Sequence, residues 1–307
     1  MTARVVLVTG ASSGIGLATA VAFAARGDAV VLVSRSGEAL DTAEKTCRAA
    51  GAAAVDVVVD DVGDPGGAGR IVAEVLDRHG RVDVVVHSAT VMGYGTVQAM
   101  PVEVFNTVVD TAIHGTLHLA QAVLPVLRRQ HAGVFVGVNS LLGSITVPQM
   151  GAYSTAKWGQ RALLRTLQQE TRDEPGVHIC IVSPGSINTP VYDQAANYTG
   201  RATRPPVPVL SPDRVAAAIV RVTGRPRRHV SVPVGPANPF IITAFRLLPG
   251  LYDLLAGPLF RLAALTGKTV PPTPGNVFRP HPALEQTHGR WPAKRRRRPA
   301  APRPAVR

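Results

Sequence analysis

Short apolar runs rich in β-branched residues alternate along most of the chain with longer, alanine-rich stretches. Runs of four to six residues without regular polar alternation are typical of strands buried on both faces of a parallel sheet. The sequence predicts seven strands, at Val5–Val8, Val30–Val33, Val55–Val59, Val82–Val86, Val134–Val138, Val177–Val182 and Val230–Val234. Ser231 and Pro233 interrupt the last run, which therefore suits the edge of the sheet.

The stretches between the runs have the length of crossover helices. They predict helices over residues 14–26, 37–49, 66–79, 102–130, 151–172 and 211–223. Because helices separate the strands, successive strands can pair in parallel while the helices cover both faces of the sheet. The predicted fold class is α/β, with a doubly wound parallel sheet of the Rossmann type.

The regular alternation ends in the C-terminal third of the chain. Residues 190–210 contain four prolines and no strong period, which predicts a long loop. In the apolar stretch farther on, Pro249 and Pro258 are expected to divide the chain into short helices. The expected organisation is a single α/β domain, an apolar helical extension and a disordered basic tail, over residues 1–235, 236–269 and 270–307.

Positive charge is concentrated in that tail. The formal net charge is +13, but ten of the 33 Lys and Arg residues and only one of the 20 acidic residues lie from Lys268 onward. The tail therefore carries +9 and residues 1–267 carry +4, so a nucleic-acid-binding body is not indicated. The tail's aromatic residues, Phe278 and Trp291, lie outside its arginine run, which argues against base stacking.

Cysteine usage and the N-terminus bear on the compartment. Cys47 and Cys180 are the only cysteines, and their spacing fits neither a disulfide framework nor a metal site. The first residues run directly into a predicted strand, without the features of a secretory signal peptide. We therefore expect a cytoplasmic protein without a bound metal.

A glycine-rich segment, Thr9-Gly10-Ala11-Ser12-Ser13-Gly14-Ile15-Gly16, follows the first predicted strand and opens the first helix. Glycines at such a turn let the backbone approach a pyrophosphate, and the helix N-terminus faces the anion. A glycine motif alone is weak, and an ordinary turn is the alternative. Its position at the start of an α/β chain favours a dinucleotide site.

A second motif, Tyr153-Ser154-Thr155-Ala156-Lys157, lies on a predicted helix. Residues four apart share one helix face, which brings the phenol beside the ammonium. A neighbouring cation is expected to lower the phenol pKa from about 10 and so produce a proton donor or acceptor. Chance pairing is the alternative, but the chain contains only five tyrosines and four lysines.

Two further segments follow predicted strands at their carboxyl ends, where open α/β sheets bind ligands. Ser140 could hydrogen-bond a substrate oxygen as charge develops on it. The segment that runs from Ser183 to Pro190 contains a Pro-Gly pair, which alone would indicate only a turn.

These motifs resemble the short-chain dehydrogenase/reductase family over roughly residues 4–235. The resemblance implies that Tyr153 is the catalytic acid/base, that Lys157 binds the nicotinamide ribose and lowers the Tyr153 pKa, and that Ser140 orients the substrate oxygen. It also implies contacts to the dinucleotide phosphates by Gly10, Ser12, Ser13, Gly14 and Ile15. Further implied cofactor contacts are Asp61 and Val62 at the adenine, Ala89, and Pro184, Gly185, Ile187 and Thr189 at the nicotinamide.

The residue after the second strand bears on the choice of cofactor. An acidic residue there would bind the ribose 2′-hydroxyl of NAD, whereas this chain has Arg35. A guanidinium can bind a 2′-phosphate with charge-assisted hydrogen bonds. NADP(H) is therefore favoured over NAD(H), with a solvated arginine as the alternative.

Two departures from the family pattern concern activity. The family's Asn-Asn-Ala-Gly segment reads His87-Ser88-Ala89-Thr90 here, and Ala112 stands where the family has an asparagine that supports a proton relay. The leading hypothesis is an NADP(H)-dependent oxidoreductase that interconverts a lipophilic alcohol and a ketone. A catalytically weak dinucleotide-binding sensor or scaffold is the alternative, and an interaction protein that uses its basic tail is a third.

The apolar extension predicts further partners. Arg246, Asp253 and Arg261 fall near one stripe of a helical Phe240–Leu265, and the remaining surface is almost wholly apolar. Such helices can cap a substrate pocket, bury in a homodimer or homotetramer interface, or lie on a membrane. With the basic tail behind them, we predict a peripheral membrane contact through residues 239–267.

Overall fold

The computed structural model describes residues 3–232 and 237–291, and within them it contains a parallel sheet covered by helices on both faces. Seven strands pair in the order β10-β7-β6-β4-β1-β2-β3, all in parallel. The strands are β1 (Val5–Thr9), β2 (Ala29–Ser34), β3 (Ala54–Val59), β4 (Val84–His87), β5 (Gly93–Tyr94), β6 (Gly133–Val138), β7 (Val177–Pro184), β8 (Ala196–Asn197), β9 (Arg201–Thr203), β10 (His229–Val232) and β11 (Leu265–Thr269). The predicted fold class is confirmed.

All six predicted crossover segments are helical. The helices are α1 (Gly14–Ala24), α2 (Gly37–Ala50), α3 (Gly67–His79), α4 (Val102–Val109), α5 (Gly115–Gln130), α6 (Gly151–Glu170), α7 (Val191–Gln194), α8 (Pro212–Gly224), α9 (Ala237–Leu247) and α10 (Pro249–Ala264). The segment 102–130 forms both α4 and α5, and α7, α9 and α10 lie outside the six segments. One apolar core joins the sheet to α1, α2 and α8, and a second joins it to α3, α5 and α6. The strand order reverses at β1 and β4, which places the ligand crevice of this fold at their carboxyl ends.

Some element boundaries differ from the predictions. The helix expected over 102–130 is interrupted by a π-helical turn at Asp110–His114, a feature that often marks functional sites. β4 begins at Val84 rather than Val82. The weak last strand, β10, lies at the edge of the sheet as predicted, although its expected residues Pro233 and Val234 lie outside the described ranges.

The segment predicted to be a long loop, 190–210, contains short elements instead. α7 opens it, β8 pairs with β5, and β9 pairs with β11. These pairings fix the segment beside the carboxyl edge of the main sheet. A loop prediction from proline content could not detect them because each partner strand comes from a distant part of the chain.

The apolar extension forms a hairpin of α9 and α10. Phe245 contacts Trp158 with ring centroids 6.2 Å apart, and the Tyr252 hydroxyl donates to the Thr146 carbonyl at 2.8 Å. Pro258 lies inside α10 and does not divide it, contrary to the prediction. None of the described helices is long and apolar enough to cross a membrane.

Residues 270–291, which were expected to be disordered, fold back onto the domain. Val277 is fully buried, a 3-10 turn forms at Pro282–Leu284, and main-chain hydrogen bonds join the segment to the body of the protein. The expectation fails because main-chain carbonyls and amides, which composition does not reveal, make most of these contacts. Residues 292–307, with the arginine run, lie outside the described residues.

Candidate active site

A cavity of about 630 Å³ opens at the carboxyl edge of the sheet. All the predicted site residues line it: Gly10, Ser12, Ser13, Gly14, Ile15, Arg35, Asp61, Val62, Ala89, Ser140, Tyr153, Lys157, Pro184, Gly185, Ile187 and Thr189. They come from the ends of six strands and from helix α6, which are far apart in sequence. The fold therefore brings the predicted dinucleotide and catalytic residues together.

The turn after β1 has the close approaches that its glycines suggest. Gly10 has a φ of +67°, and a Cβ there would lie 2.8 Å from the amide nitrogen of Ala89. A Cβ on Gly16 would lie 2.0 Å from the Gly10 carbonyl oxygen. Only glycine fits either position, which leaves the N-terminus of α1 directly at the cavity. This arrangement fits a dinucleotide pyrophosphate.

Arg35 follows β2 and lines the same cavity as the glycine turn. Its two terminal nitrogens donate to the carbonyl oxygens of Val277 and Asn276 at 3.0 and 2.8 Å, and one lies 3.8 Å from an Asp61 carboxylate oxygen. The Asp61 carboxylate also accepts a hydrogen bond from the Gly63 amide at 2.8 Å. A guanidinium held in the cavity wall fits a cofactor phosphate better than a solvated arginine would.

Lys157 is fully buried beneath the ring of Tyr153. Its Nζ donates to the Val138 carbonyl oxygen and to Gln160 Oε1, both at 3.1 Å, and lies 5.7 Å from the centroid of the Tyr153 ring. Burial lowers the pKa of Lys157 to about 7. The i, i+4 spacing thus places phenol and amine together as predicted.

The direction predicted for the Tyr153 pKa is wrong. Burial raises this pKa above its usual value, a hydrogen bond with the Ser140 side chain lowers it in part, and the Tyr192 hydroxyl raises it further. The sequence shows only that Lys157 is near Tyr153. It does not show how far the surrounding side chains remove the phenol from water, and desolvation outweighs the neighbouring amine here. Tyr153 therefore holds its proton at neutral pH.

Gln160 is a site residue that sequence reasoning missed. Its Oε1 accepts from Lys157, and its Nε2 donates to Thr116 Oγ1 at 3.1 Å. Thr116 in turn donates to the main-chain carbonyl of Ala112 at 2.6 Å. Gln160 lies three residues beyond Lys157 on one helix face, a signal that could have identified it. These buried hydrogen bonds connect the Lys157 amine to the main chain of Ala112, although Ala112 has no polar side chain.

His87 replaces the first asparagine of the family segment and is fully buried. Its Nδ1 lies 2.9 Å from Thr9 Oγ1, which joins the ends of β4 and β1. Burial, with a smaller contribution from Lys157, lowers the pKa of His87 to about 3. The imidazole is therefore neutral, and we assign it a structural role between the two strands.

The wall opposite the glycine turn is apolar. It consists of side chains from the loops after β4 and β6 and from the hairpin, among them Met92, Leu142, Val147, Met150, Leu251, Leu255, Leu259 and Phe260. Tyr192, which sequence reasoning also missed, lines the same side, and burial raises its pKa to about 12. The cavity thus joins a polar cradle to an apolar pocket, with Tyr153 and Ser140 between them.

Similarity to known proteins agrees with this geometry. The chain is 29% identical over 234 residues to sepiapterin reductase of Chlorobaculum tepidum, covering 74% of this chain and 93% of that protein. It is 36% identical over 191 residues to 2-(R)-hydroxypropyl-CoM dehydrogenase of Xanthobacter autotrophicus, covering 61% and 76%. An alcohol dehydrogenase of Thermococcus sibiricus, solved in complex with 5-hydroxy-NADP, superimposes with a TM-score of 0.66 at 27% identity, covering 75% of this chain and 96% of that chain.

The family model described as short chain dehydrogenase matches residues 4–198, which is more than half of the chain. Those residues include the glycine turn, Ser140, Tyr153 and Lys157. The chain belongs to the short-chain dehydrogenase/reductase family and is a dehydrogenase/reductase enzyme.

Proposed function

We propose that this protein is an NADP(H)-dependent oxidoreductase that interconverts a lipophilic secondary alcohol and the corresponding ketone. The observation that carries the proposal is that Ser140 and Tyr153 line one cavity together, where the polar cradle meets the apolar pocket. A substrate oxygen placed there would meet both hydroxyls. When bound, the nicotinamide supplies or accepts the hydride.

The raised pKa of Tyr153 suits proton donation. In the direction of ketone reduction, Tyr153 would give its Oη proton to the substrate oxygen, while Ser140 would hydrogen-bond that oxygen as negative charge develops. Lys157 beneath the ring would then stabilise the phenolate, because its protonated amine lies 5.7 Å from the ring centroid. The Gln160 contact fixes the position of this amine.

Arg35 supports NADP(H) over NAD(H). Arg35 follows β2 directly, and Ser34 before it is uncharged. This strand end therefore has no acidic side chain that would bind the ribose 2′-hydroxyl of NAD(H). A 2′-phosphate would gain charge-assisted hydrogen bonds from the guanidinium.

The hairpin supports both a lipophilic substrate and a membrane contact. Its inner side chains line the cavity, whereas Phe240, Leu247, Leu254 and Leu262 are each more than 70% exposed. We propose that this outer face rests on an anionic membrane. Arg246 and Arg261 are exposed on the same hairpin, and the basic tail follows it in sequence. A lipophilic substrate could then reach the pocket from the bilayer surface.

A fluorescence titration with NADPH and NADH, followed by a panel of ketones and alcohols monitored at the nicotinamide absorbance, tests the proposal. We expect tighter binding of NADPH and turnover that increases with the apolar size of the ketone. Failure to bind either nucleotide would contradict the proposed function, and turnover confined to small polar ketones would contradict the lipophilic substrate.

A further inference from the structure

The C-terminal segment 271–291 crosses the mouth of the cofactor cavity, and we call it the strap. It is anchored at one end by the Asn276 amide, which donates to the Gln194 carbonyl at 2.8 Å. At its other end, the Gly289 amide donates to the Asn188 carbonyl at 3.1 Å. Between these anchors the strap passes over Arg35 and the start of α1. Asn276, Pro280 and Glu285 line the cavity from above.

The strap uses the hydrogen-bond donors that a dinucleotide needs. Carbonyl oxygens of Asn276 and Val277 accept from both terminal nitrogens of Arg35. The Gln286 carbonyl accepts from the Gly14 amide at 3.0 Å, at the N-terminus of α1. Each of these oxygens is a neutral acceptor at a donor that suits an anionic phosphate oxygen.

We propose that the strap is an autoinhibitory element that competes with the phosphates of NADP(H) for Arg35 and Gly14. This proposal rests on the proposed function, because it takes the cavity as an NADP(H) site. Ionised acceptors form stronger hydrogen bonds than neutral carbonyls, so a 2′-phosphate can displace the Asn276 and Val277 oxygens from Arg35. The apparent affinity is then reduced by the fraction of molecules in which the strap is closed.

Side-chain contacts hold the strap closed without joining the cavity. Val277 is fully buried in an apolar cluster with Val104, Ala156 and other residues. Arg290 pairs with Asp193 at 2.7 Å, and the His288 imidazole lies 3.0 Å from the Asp213 carboxylate. The strap is therefore a specific element of the fold with its own packing, and it can open while the sheet stays intact.

Two glycines permit separate release of the two ends. Gly275 has a φ of +55°, and a Cβ there would lie 2.2 Å from the Gln194 carbonyl oxygen. A Cβ on Gly289 would lie 2.7 Å from the Thr189 carbonyl oxygen. Gly275→Ala should therefore displace the carbonyls that hold Arg35, and Gly289→Ala should displace the end near Gly14. Gly267→Ala is the matched control, because no atom lies within 4 Å of its added Cβ.

The test is a fluorescence titration of the full-length proteins with NADPH and NADH. We expect Gly275→Ala to bind NADPH about tenfold more tightly than wild type or Gly267→Ala, since the cofactor no longer displaces the two hydrogen bonds from Arg35 to the strap. NADH should gain less in this variant because it lacks the phosphate that faces Arg35. Gly289→Ala should tighten both cofactors by similar factors.

Amide hydrogen exchange of the wild-type protein gives a second readout that needs no variant. Saturating NADPH should accelerate exchange in peptides that span 273–291, because the strap is displaced. Slower exchange in these peptides would overturn the autoinhibition proposal. NADPH affinities in both glycine variants equal to that of Gly267→Ala would also overturn it. In either case, NADPH binding by wild type would still agree with the proposed function. If wild type and all variants fail to bind NADPH, both proposals are wrong.

Discussion

The two walls of the cavity are built in different ways. The dinucleotide wall consists of turns at the ends of β1, β2 and β3, which hydrogen bonds to neighbouring strands hold in the sheet. The substrate wall includes the α9–α10 hairpin, which joins the domain through contacts such as Tyr252 to Thr146 and Phe260 to Tyr94. The first wall supplies polar groups at fixed positions and the second supplies apolar surface. On the proposed function, the cofactor is therefore held by turns fixed in the sheet, whereas substrate selection depends on an appended element.

The largest expected effect is that of Tyr153→Phe, at the point on α6 where the two walls meet. The substitution keeps the ring over Lys157 and removes the proton that the substrate oxygen would receive. We expect kcat to fall by about 10²–10⁴-fold, the usual contribution of a general acid, while NADPH affinity is retained. Stopped-flow or steady-state assays at the nicotinamide absorbance measure it.

Tyr198→Phe is the control for this change, because Tyr198 does not line the cavity. Its kcat should match wild type. Retention of wild-type kcat by Tyr153→Phe would show that another group donates the proton.

The next effect concerns Arg35 in the dinucleotide wall. Arg35→Asp removes the partner of the 2′-phosphate and places a like charge against it. Because a hydrogen bond to a charged group contributes about 1.5–3 kcal/mol, we expect the NADPH-to-NADH affinity ratio to fall about 10- to 100-fold. Arg26→Asp makes the same charge change at an exposed site away from the cavity and should leave the ratio unchanged. An unaltered ratio in Arg35→Asp would show that Arg35 does not bind the 2′-phosphate.

These tests separate what the sequence could predict from what it could not. The strand runs and the crossover lengths specify the sheet because burial on both faces leaves a direct apolar pattern, as in β1 and β6. Gly10, Tyr153 and Lys157 are identifiable because few residue types can perform their functions at those spacings. The pKa of Tyr153 and the contacts of Gln160 depend on packing among distant elements, which no local pattern encodes.

The strap is a second feature that the sequence does not predict. Its composition of proline, arginine and small residues resembles that of a disordered tail, but Asn276, Val277 and Gln286 bind through main-chain carbonyls that every residue type possesses. Val277 is the one apolar side chain among these three residues, and a single valine does not predict a buried segment.

Lys157 gives a prediction for stability. Its pKa is lowered from 10.5 to about 7 in the folded protein, so between these values the unfolded chain binds more protons than the folded one. The contribution of Lys157 to the free energy of unfolding is therefore most favourable above its unfolded pKa. It decreases as pH falls from about 10.5 and reaches its minimum near pH 7. Restricting the comparison to pH 7–9.5 keeps the tyrosines protonated.

Lys157→Met removes this dependence while preserving the length of the side chain. We expect the free energy of unfolding of wild type, measured by urea denaturation, to rise with pH relative to the variant across this window. Lys45→Met, at an exposed position, should follow wild type. Parallel curves for wild type and Lys157→Met would show that the buried amine does not titrate there.

The smallest expected effect concerns the outer face of the substrate wall. Sedimentation of the full-length protein with anionic and neutral vesicles at low salt should show binding to the anionic ones only. Arg261→Gln should weaken this binding about fivefold, because one basic residue near an anionic surface contributes about 1 kcal/mol. Arg172→Gln changes an exposed arginine in the turn after α6, outside the hairpin, and should weaken binding less.

Charge alone could produce that result, so the apolar face needs its own variant. Leu254→Glu introduces a charge where the leucine is 72% exposed on the hairpin, and Val102→Glu makes a similar change at 68% exposure on α4. If the hairpin inserts its leucines into the membrane interface, only Leu254→Glu should lose vesicle binding beyond the loss in Arg261→Gln. If wild type does not sediment with anionic vesicles, the membrane proposal is wrong. A dimer in light scattering that Leu254→Glu dissociates would then show that a second copy of the chain covers this face.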